Sequence, residues 1–289
     1  MRGIDQMNTV EFHNVTKSRK DFSIKNLSFT IPQGFITGFI GPNGSGKTTT
    51  IQMMMNLLHI DEGDIRLFGT NHKNQHVKQK IGFVYDDLYM YEEFNIRKIK
   101  SFIAPLYETW NEELFQKYLV KFELPTGKKI KKFSKGMKMK CSLLFALSHE
   151  AEFIIMDEPT SGLDPIFRRE LLDHIQELML KENQTIFLSS HITADLDRIA
   201  DYIIFIYQGK IMLQKSMEEI QNLFYIIKGK SDLIDADTKE LFIGIKQTSL
   251  GFEALFEGEL SLFDAFGDEI VAEKATLEDI MYYMTRKEI

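Results

Sequence analysis

The sequence has 289 residues, with 35 Lys and Arg against 42 Asp and Glu, which gives a formal net charge of −7. Its composition, 44% hydrophobic and 27% charged, is typical of a globular protein with a core and excludes a disordered chain. Because an acidic chain has no general electrostatic attraction to nucleic acid or anionic lipid, we expect neither as a direct partner.

Cysteine content and hydropathy indicate the compartment. Cys141 is the single cysteine of the sequence, which excludes an internal disulfide and is typical of a reducing compartment. No apolar run reaches the roughly 18 residues that a membrane-spanning helix needs, and the N-terminal segment lacks the apolar stretch of a signal peptide. We therefore expect a cytoplasmic protein.

Strands and helices are predicted to alternate up to about residue 215. Two early strands, 10–16 and 22–31, precede a short apolar run at 35–40 that is typical of a strand buried on both faces. A helix follows, and its apolar face is formed by Ile51, Met54, Met55 and Leu58.

A mainly helical stretch at about 88–150 separates these elements from two further buried strands at 153–156 and 185–190. Between those strands, Asp164–Pro165 opens a helix with a capping residue and a proline at its first position. Residues 201–213 indicate a hairpin. Apolar strands separated by helices predict an α/β domain with a mostly parallel sheet.

The pattern changes after residue 215 to short strands, turns and scattered glycines. Ser216 could open a short helix, and Thr276 followed three residues later by Asp279 is typical of a capping box that begins a last helix. We therefore predict a small α+β C-terminal domain over residues 216–289.

Residues 41–48 match the phosphate-loop pattern G-x-x-x-x-G-K-S/T, between a buried strand and an amphipathic helix. Glycines let successive backbone N–H groups point at phosphates, and the helix adds the positive end of its dipole. Lys47 should reach the β and γ phosphates, the Thr48 hydroxyl should ligate Mg²⁺, and Thr49 should contact the α-phosphate region. The motif predicts an NTPase whose nucleotide also contacts Asn43, Gly44, Ser45 and Gly46.

Two carboxylates, Asp157 and Glu158, follow the buried strand at 153–156. Ligands of open α/β sheets bind at the carboxyl ends of the strands. Asp157 would hold Mg²⁺ through water, as a Walker B aspartate does, and Glu158 would polarise or deprotonate the attacking water.

Three further segments complete a family pattern. Residues 133–137, Phe-Ser-Lys-Gly-Met, resemble the signature usually written LSGGQ; 161–164 resemble the D-loop; and His191 resembles the switch histidine. With the two motifs above, in this order and spacing, residues 10 to about 215 resemble an ABC-type ATPase subunit.

The resemblance implies a P-loop NTPase fold with a RecA-like core, in which residues 1–215 form the nucleotide-binding domain and about 88–150 its helical subdomain. It implies ATP and Mg²⁺ as ligands and a homodimer or heterodimer of such domains. Ser134 and the Gly136 N–H would bind the γ-phosphate of ATP held on the opposite subunit. His191 would hold the attacking water in line, and Asp164 would link the two sites.

The sequence departs from the family at two positions. Asp86 stands where the family often has a glutamine, and it is predicted to bind both the metal and the nucleotide; a one-residue slip would put Asp87 there. Arg19 stands where an aromatic residue stacks on adenine. Arg19 could stack through its guanidinium plane, or Phe22 could take that role.

The Lys-Gly-Met form of the signature resembles the ATPases of bacterial exporters for bacitracin, lantibiotics and similar peptides. A separate permease is implied, through which the chain would sit on the inner face of the cell membrane. Seven aromatic residues are candidates for a cleft that grips the permease, although most are expected to pack the subdomain core: Phe83, Tyr85, Tyr89, Tyr91, Phe94, Phe102 and Tyr107.

Three alternatives remain at this point. The chain could be an importer ATPase, which the Lys-Gly-Met signature disfavours. It could be an ABC protein of chromosomes or ribosomes, although it has neither a long coiled-coil insertion nor a second nucleotide domain. It could also be a regulatory module without catalysis, which the presence of Lys47, Glu158 and His191 argues against.

Overall fold

The computed structural model describes residues 7–20, 22–85, 88, 91–181 and 184–286. Its strands are β1 (Asn8–Ser18), β2 (Ser23–Pro32), β3 (Ile36–Ile40), β4 (Glu62–Leu67), β5 (Thr70–Asn71), β6 (Ile81–Val84), β7 (Phe153–Asp157), β8 (Thr185–Ser190), β9 (Tyr202–Tyr207), β10 (Lys210–Ser216), β11 (Phe224–Gly229), β12 (Phe242–Thr248), β13 (Gly251–Glu257) and β14 (Ile270–Lys274). Its α-helices are α1 (Lys47–Met54), α2 (Gln75–Lys78), α3 (Ile96–Ile103), α4 (Glu112–Lys121), α5 (Lys135–Leu147), α6 (Pro165–Lys181), α7 (Thr193–Ile199), α8 (Met217–Leu223), α9 (Ala236–Glu240) and α10 (Leu277–Met284).

A six-stranded sheet in the order β10-β9-β3-β8-β7-β6 forms the centre. The five strands from β9 to β6 are parallel, and β10 is joined to β9 by an antiparallel hairpin. The three strands predicted to be buried on both faces, β3, β8 and β7, are interior strands of this sheet and are almost wholly buried. The predicted α/β class with a mostly parallel sheet is confirmed.

A second sheet, in the order β2-β1-β4-β5, is antiparallel. Its buried side chains form one cluster with side chains of β3, β7, β8 and β9, and Phe29 stacks between Phe12 and Phe39 with ring-centroid distances of 4.3 and 6.0 Å. Strand β4 was not predicted, because its sequence, EGDIRL, begins with an acidic residue, a glycine and another acidic residue, which are uncommon in strands.

The first helix is shorter than its apolar spacing predicts. That spacing extends to Leu58, whereas α1 ends at Met54. Asn56 has φ 54, in the left-handed region that stops an α-helix. Met55 and Leu58 still pack against the cluster that holds the two sheets together. The prediction that these residues face the core is therefore correct, whereas the predicted end of the helix is wrong.

Helices α3, α4 and α5 form the predicted helical stretch, and α5 packs on β6 at the edge of the central sheet. Eight of the residues of α5 are buried, among them Cys141. Burial raises the pKa of the Cys141 thiol to about 12, because the thiolate would lose its hydration there. Cys141 is therefore a core residue.

The C-terminal segment contains a four-stranded antiparallel sheet in the order β12-β13-β11-β14. Both capping signals are confirmed: Ser216 forms a capping box with Glu219 at α8, and Thr276 forms one with Asp279 at α10. Helix α10 packs on α7, β12 and β13. The predicted boundary at residue 215 falls at the end of β10, and the division into two domains stays a prediction.

The fold lowers the pKa of one buried histidine, His149. Its side chain is 1% exposed, its ring stacks on Tyr107 at a centroid distance of 3.8 Å, and its Nδ1 has no hydrogen-bond partner in the described part of the chain. Burial lowers the pKa of His149 to about 4, because the charged imidazolium would be poorly hydrated.

We predict that His149 makes stability depend on pH. Its folded-state pKa lies below the unfolded value of about 6.5, so the unfolded chain binds the proton first and stability is lost as pH falls from about 6.5 towards 4. Between pH 7 and 4.5 the wild type should lose about 2–3 kcal/mol more free energy of unfolding than His149→Phe, measured by urea denaturation. The exposed His59 provides the control: His59→Gln should follow the wild type. Equal losses in wild type and His149→Phe would show that this histidine does not couple to folding.

Candidate functional site

The phosphate loop connects β3 to α1, and its conformation requires glycine. A Cβ at Gly41 would lie 2.3 Å from the carbonyl oxygen of Ile206. Gly44 and Gly46 have φ of 79 and 117, in the left-handed region, and Gly46 caps the N-terminus of α1. The loop therefore passes close to β9 and turns so that the first N–H groups of α1 are at its open side.

Lys47, the first residue of α1, is only 7% exposed. Its Nζ donates to the carbonyl oxygen of Gly41 at 2.7 Å and lies 3.3 Å from Oε1 of Glu158. The buried hydroxyl of Ser45 has no hydrogen-bond partner among the described residues. A buried ammonium, an unpaired buried hydroxyl and a helix N-terminus together fit a phosphate group.

The remaining predicted contacts of the loop lie farther out. Asn43, Gly44 and Thr48 are exposed, and Thr49 is half-buried. This placement leaves the outer side of the loop open to a ligand.

Two oxygen ligands that suit Mg²⁺ meet beside the loop. The Thr48 hydroxyl donates to Oδ2 of Asp157 at 3.2 Å, and the Ser189 hydroxyl donates to Oδ1 of Asp157 at 2.5 Å. Hydroxyl and carboxylate oxygens are the hard ligands that this ion prefers. The predicted metal ligands Thr48 and Asp157 are thus brought together, whereas Asp86, and Asp87 as its alternative, lie outside the described residues.

Glu158 lies where the three predicted catalytic side chains converge. Its φ of 51 is in the left-handed region, which costs energy for a residue with a Cβ. Its N–H donates to the backbone oxygen of Ser189 at 3.1 Å and to the hydroxyl at 3.0 Å, which holds the strained turn. Its carboxylate lies 3.3 Å from Lys47 Nζ and 2.6 Å from His191 Nδ1.

His191 directly follows β8, and its side chain is 39% exposed. The Ser190 hydroxyl accepts a hydrogen bond from the N–H of Ile192 at 2.9 Å, and this turn leads into α7. The histidine is thus held between a buried strand and a helix, with one ring nitrogen on Glu158 and the rest of the ring reachable from solvent.

Ser189 is a site residue that was not predicted. It orients the Asp157 carboxylate and accepts from the N–H of Glu158, so it joins β8 to both acidic residues. The available signal was the pair of serines that ends the otherwise apolar run TIFLSS.

The signature segment lies at the N-terminus of α5. Ser134 is exposed and caps the helix, with its hydroxyl accepting from the N–H of Met137 at 3.2 Å. Gly136 is half-buried, and a Cβ there would lie 2.9 Å from the Phe167 ring, so a larger residue would not fit. Asp164 caps α6, its Oδ1 accepting from the N–H of Phe167 at 3.0 Å.

The signature and the D-loop share an open cavity of about 340 Å³. Its lining includes Ser134, Gly136, Gly162 and Asp164, and it includes no residue of the phosphate loop and neither Glu158 nor His191. The predicted site residues therefore form two groups: one around Lys47 and Glu158, and one around Ser134 and Asp164.

The two candidates for adenine stacking lie in different surroundings. Arg19 is exposed. Phe22 is half-buried, and its Cζ is 3.0 Å from the position of a Cβ built on Gly46. The aromatic ring thus borders the phosphate loop.

Known proteins are similar to this chain in sequence and in fold. A family model described as ABC transporter matches residues 24–161. The sequence is 30% identical to the uncharacterized ABC transporter ATP-binding protein YhcH of Bacillus subtilis, covering 98% of this chain and 90% of that protein. It is 36% identical to the bacitracin transport ATP-binding protein BcrA of Bacillus licheniformis, covering 66% of this chain and 63% of that protein. The ATP-binding cassette MJ0796, solved as a dimer in a post-hydrolysis state with ADP and Pi, matches with a TM-score of 0.64 at 20% identity, over 72% of this chain and 98% of that one.

The chain belongs to the ABC transporter family of ATP-binding proteins. It is an ABC-type ATPase and an ATP-binding subunit of a transporter. The resemblance inferred from the five motifs is thereby confirmed, and so is the P-loop NTPase fold.

We predict that Phe22, rather than Arg19, stacks on the adenine. Base–aromatic stacking contributes about 1–3 kcal/mol, so Phe22→Ala should weaken ATP binding by about tenfold, whereas Arg19→Ala should change it by less than about twofold. Titration of each purified variant with ATP would measure both affinities. A larger loss in Arg19→Ala than in Phe22→Ala would assign the stacking role to the guanidinium.

Proposed function

We propose that this ATPase subunit closes face to face with a second cassette around ATP and Mg²⁺, and that the cycle drives a separate permease that exports a peptide antibiotic or a related peptide. The second cassette is either a copy of this chain or a related one. The observation that carries the dimer is the separation of the site residues into two groups, each open to solvent.

Neither group of residues makes a complete reaction centre. Lys47, Glu158 and His191 converge on the phosphate-loop side, but the signature serine, which the family places on the γ-phosphate, lines a different cavity. A second cassette facing the first would bring its exposed Ser134 and the N-terminus of its α5 to the open side of the phosphate loop. The dimeric state of MJ0796 with ADP and Pi supports such an arrangement for this fold.

The contacts of Glu158 indicate how the site changes when nucleotide enters. Lys47 shares its charge between the Gly41 carbonyl and the Glu158 carboxylate. A triphosphate carries more negative charge than one carboxylate, so Lys47 would move to the phosphates. Glu158 would then accept a hydrogen bond from the attacking water, while His191 holds that water in line.

Thr48 and Asp157 would hold Mg²⁺ beside the phosphates. The ion supplies positive charge that offsets the charge of the phosphate oxygens during hydrolysis. The Ser189 hydroxyl fixes the Asp157 carboxylate, so this ligand is oriented before the ion binds.

A permease partner is supported by an apolar cavity of about 590 Å³ between the helical stretch and the central sheet. In the described part of the chain, no helix is long and apolar enough to span a membrane. Four of the seven aromatic candidates line this cavity: Phe83, Tyr85, Tyr91 and Tyr107. Phe94 and Phe102 instead contact each other, and Tyr89 lies outside the described residues. A cavity rimmed by aromatic side chains fits an apolar helix of a partner.

Peptide export is supported by the bacitracin transport relative and by the Lys135-Gly136-Met137 form of the signature. The same form of the signature disfavours the importer alternative. A regulatory module without catalysis is disfavoured, because Glu158 contacts both of the other catalytic candidates, Lys47 and His191. Association with the inner face of the membrane would follow from the permease contact.

We predict that Glu158→Gln traps the closed dimer. The amide cannot accept a proton from water, so ATP should remain bound and the two cassettes should stay together. Turnover should fall at least about a hundredfold, and size-exclusion chromatography with ATP and Mg²⁺ should show a dimer. Adding Lys47→Ala to this variant removes the main phosphate contact and should return the monomer. A Glu158→Gln chain that binds ATP yet elutes as a monomer would contradict closure between two copies of this chain.

We predict that the apolar cavity is the permease contact. Leu106 lines the cavity and is 67% exposed, so Leu106→Asp places a charge at the contact without disturbing the core. This variant should be lost from membrane vesicles of the source cells that retain the wild type, while its ATPase rate in solution stays within about twofold of wild type. Val120 is similarly exposed, at 75%, and lies outside the cavity, so Val120→Asp should be retained. Equal retention of both variants would place the contact elsewhere.

A further inference from the structure

Two helices begin directly after site segments that belong to different groups. Helix α6 follows the D-loop, residues 161–164, and α7 follows His191 after one intervening residue. Arg168, in the first turn of α6, donates its backbone N–H to the carbonyl oxygen of Asp164 at 2.9 Å. The same residue donates Nε–H to Oδ1 of Asp195 on α7 at 2.6 Å.

Asp195 is among the most buried charged residues of the chain, with its side chain 3% exposed. Its second oxygen, Oδ2, has no hydrogen-bond partner in the described ranges, which is costly for a buried carboxylate. Apolar side chains could hold the two helices together without this cost, and Leu196 on the same helix is already fully buried. Unlike apolar packing, an ion pair is sensitive to distance and direction, so it favours those relative positions of the two helices in which Arg168 reaches Asp195.

A second ion pair joins the same two helices and serves for comparison. Arg198 on α7 pairs with Asp173 on α6 at 2.5 Å, and these side chains are 35% and 49% exposed. An exposed pair of this kind contributes little, because water screens it and both side chains lose freedom. The two pairs therefore have the same chemistry and join the same helices, but differ in burial and in their distance along the chain from the D-loop and His191.

We propose that Asp195 is a positioning residue: through Arg168 it holds His191 in register with the D-loop. The D-loop borders the face that meets the second cassette, so this linkage makes the position of His191 depend on the partner. The inference rests on the proposed dimer, because only contact with a second cassette could change the position of the D-loop and, through Arg168 and Asp195, that of His191. Neither Arg168 nor Asp195 is among the residues predicted to contact ATP, Mg²⁺ or the attacking water, so their effect would pass through His191.

Steady-state ATPase kinetics of the full chain test this proposal with matched variants. Asp195→Ala should lower kcat by about tenfold and leave the KM for ATP within about twofold, because the phosphate loop is unchanged. Asp195→Asn can still accept the Arg168 Nε–H, so it should retain more activity than the alanine variant. Asp173→Ala, which removes the exposed pair, should leave both constants within about twofold.

A double-mutant cycle with His191→Ala separates a positioning role from general damage. If Asp195 acts through His191, Asp195→Ala should cause no further loss of kcat in the His191→Ala background. Losses that multiply would show that the two residues act independently and would overturn the proposal. Equal kcat for Asp195→Ala and Asp173→Ala would overturn it as well.

Folding and dimer formation are checked separately. Each variant should show the circular dichroism of the wild type. If Asp195→Ala does not fold, Arg168→Ala removes the same bond from the more exposed side and should likewise lower kcat and leave the KM for ATP unchanged. A wild type that hydrolyses ATP, with a Glu158→Gln dimer, establishes the proposed function independently. A failure of the Asp195 predictions against that background would then count against this inference alone.

Discussion

The site depends on one electrostatic constraint: a buried ammonium at the positive end of a helix. Lys47 is 7% exposed at the first position of α1, where a cation is unfavourable unless negative groups surround it. In the described structure the Gly41 carbonyl and the Glu158 carboxylate provide that surrounding. Glu158 in turn contacts His191, so the ammonium, the predicted catalytic carboxylate and the predicted switch histidine are connected before any nucleotide binds. The charge that would recognise phosphate thus also contacts the carboxylate that is predicted to act in its hydrolysis.

The central sheet makes this convergence possible, because its strand order brings distant segments to one edge. Strands β3, β8 and β7 are neighbours, and their carboxyl ends lead into the phosphate loop, His191 and Glu158 respectively. The two faces of these interior strands pack in two different apolar clusters, so a shift by one residue would exchange the side chains between the clusters, and the strand ends are therefore fixed relative to one another. The contacts of 2.6 and 3.3 Å between side chains that follow different strands depend on that register.

Local patterns predicted much of this, and nonlocal contacts account for what they missed. The phosphate loop, the interior strands and the capping boxes are each encoded within a few adjacent residues, and each was placed correctly. Strand β4 forms by pairing with β1, and α1 ends because of the backbone angle at Asn56. The spacing of apolar residues indicates neither of these. Ser189, the Phe22 ring and the Arg168–Asp195 pair gain their roles from residues 24 to 32 positions away, and a single sequence does not reveal such pairs.

The C-terminal segment illustrates the difference between a change in sequence pattern and a boundary in the core. The pattern changes at residue 215, yet Leu277 and Ile280 of α10 belong to the same buried cluster as Leu196 and Ile199 of α7. The backbone N–H of Leu277 also faces the Asp197 carboxylate, whose pKa is raised chiefly by burial. Helix α7 is thus held by α6 through ion pairs and by α10 through apolar packing. Because α7 begins just after His191, the C-terminal segment contributes to the support of the predicted switch histidine.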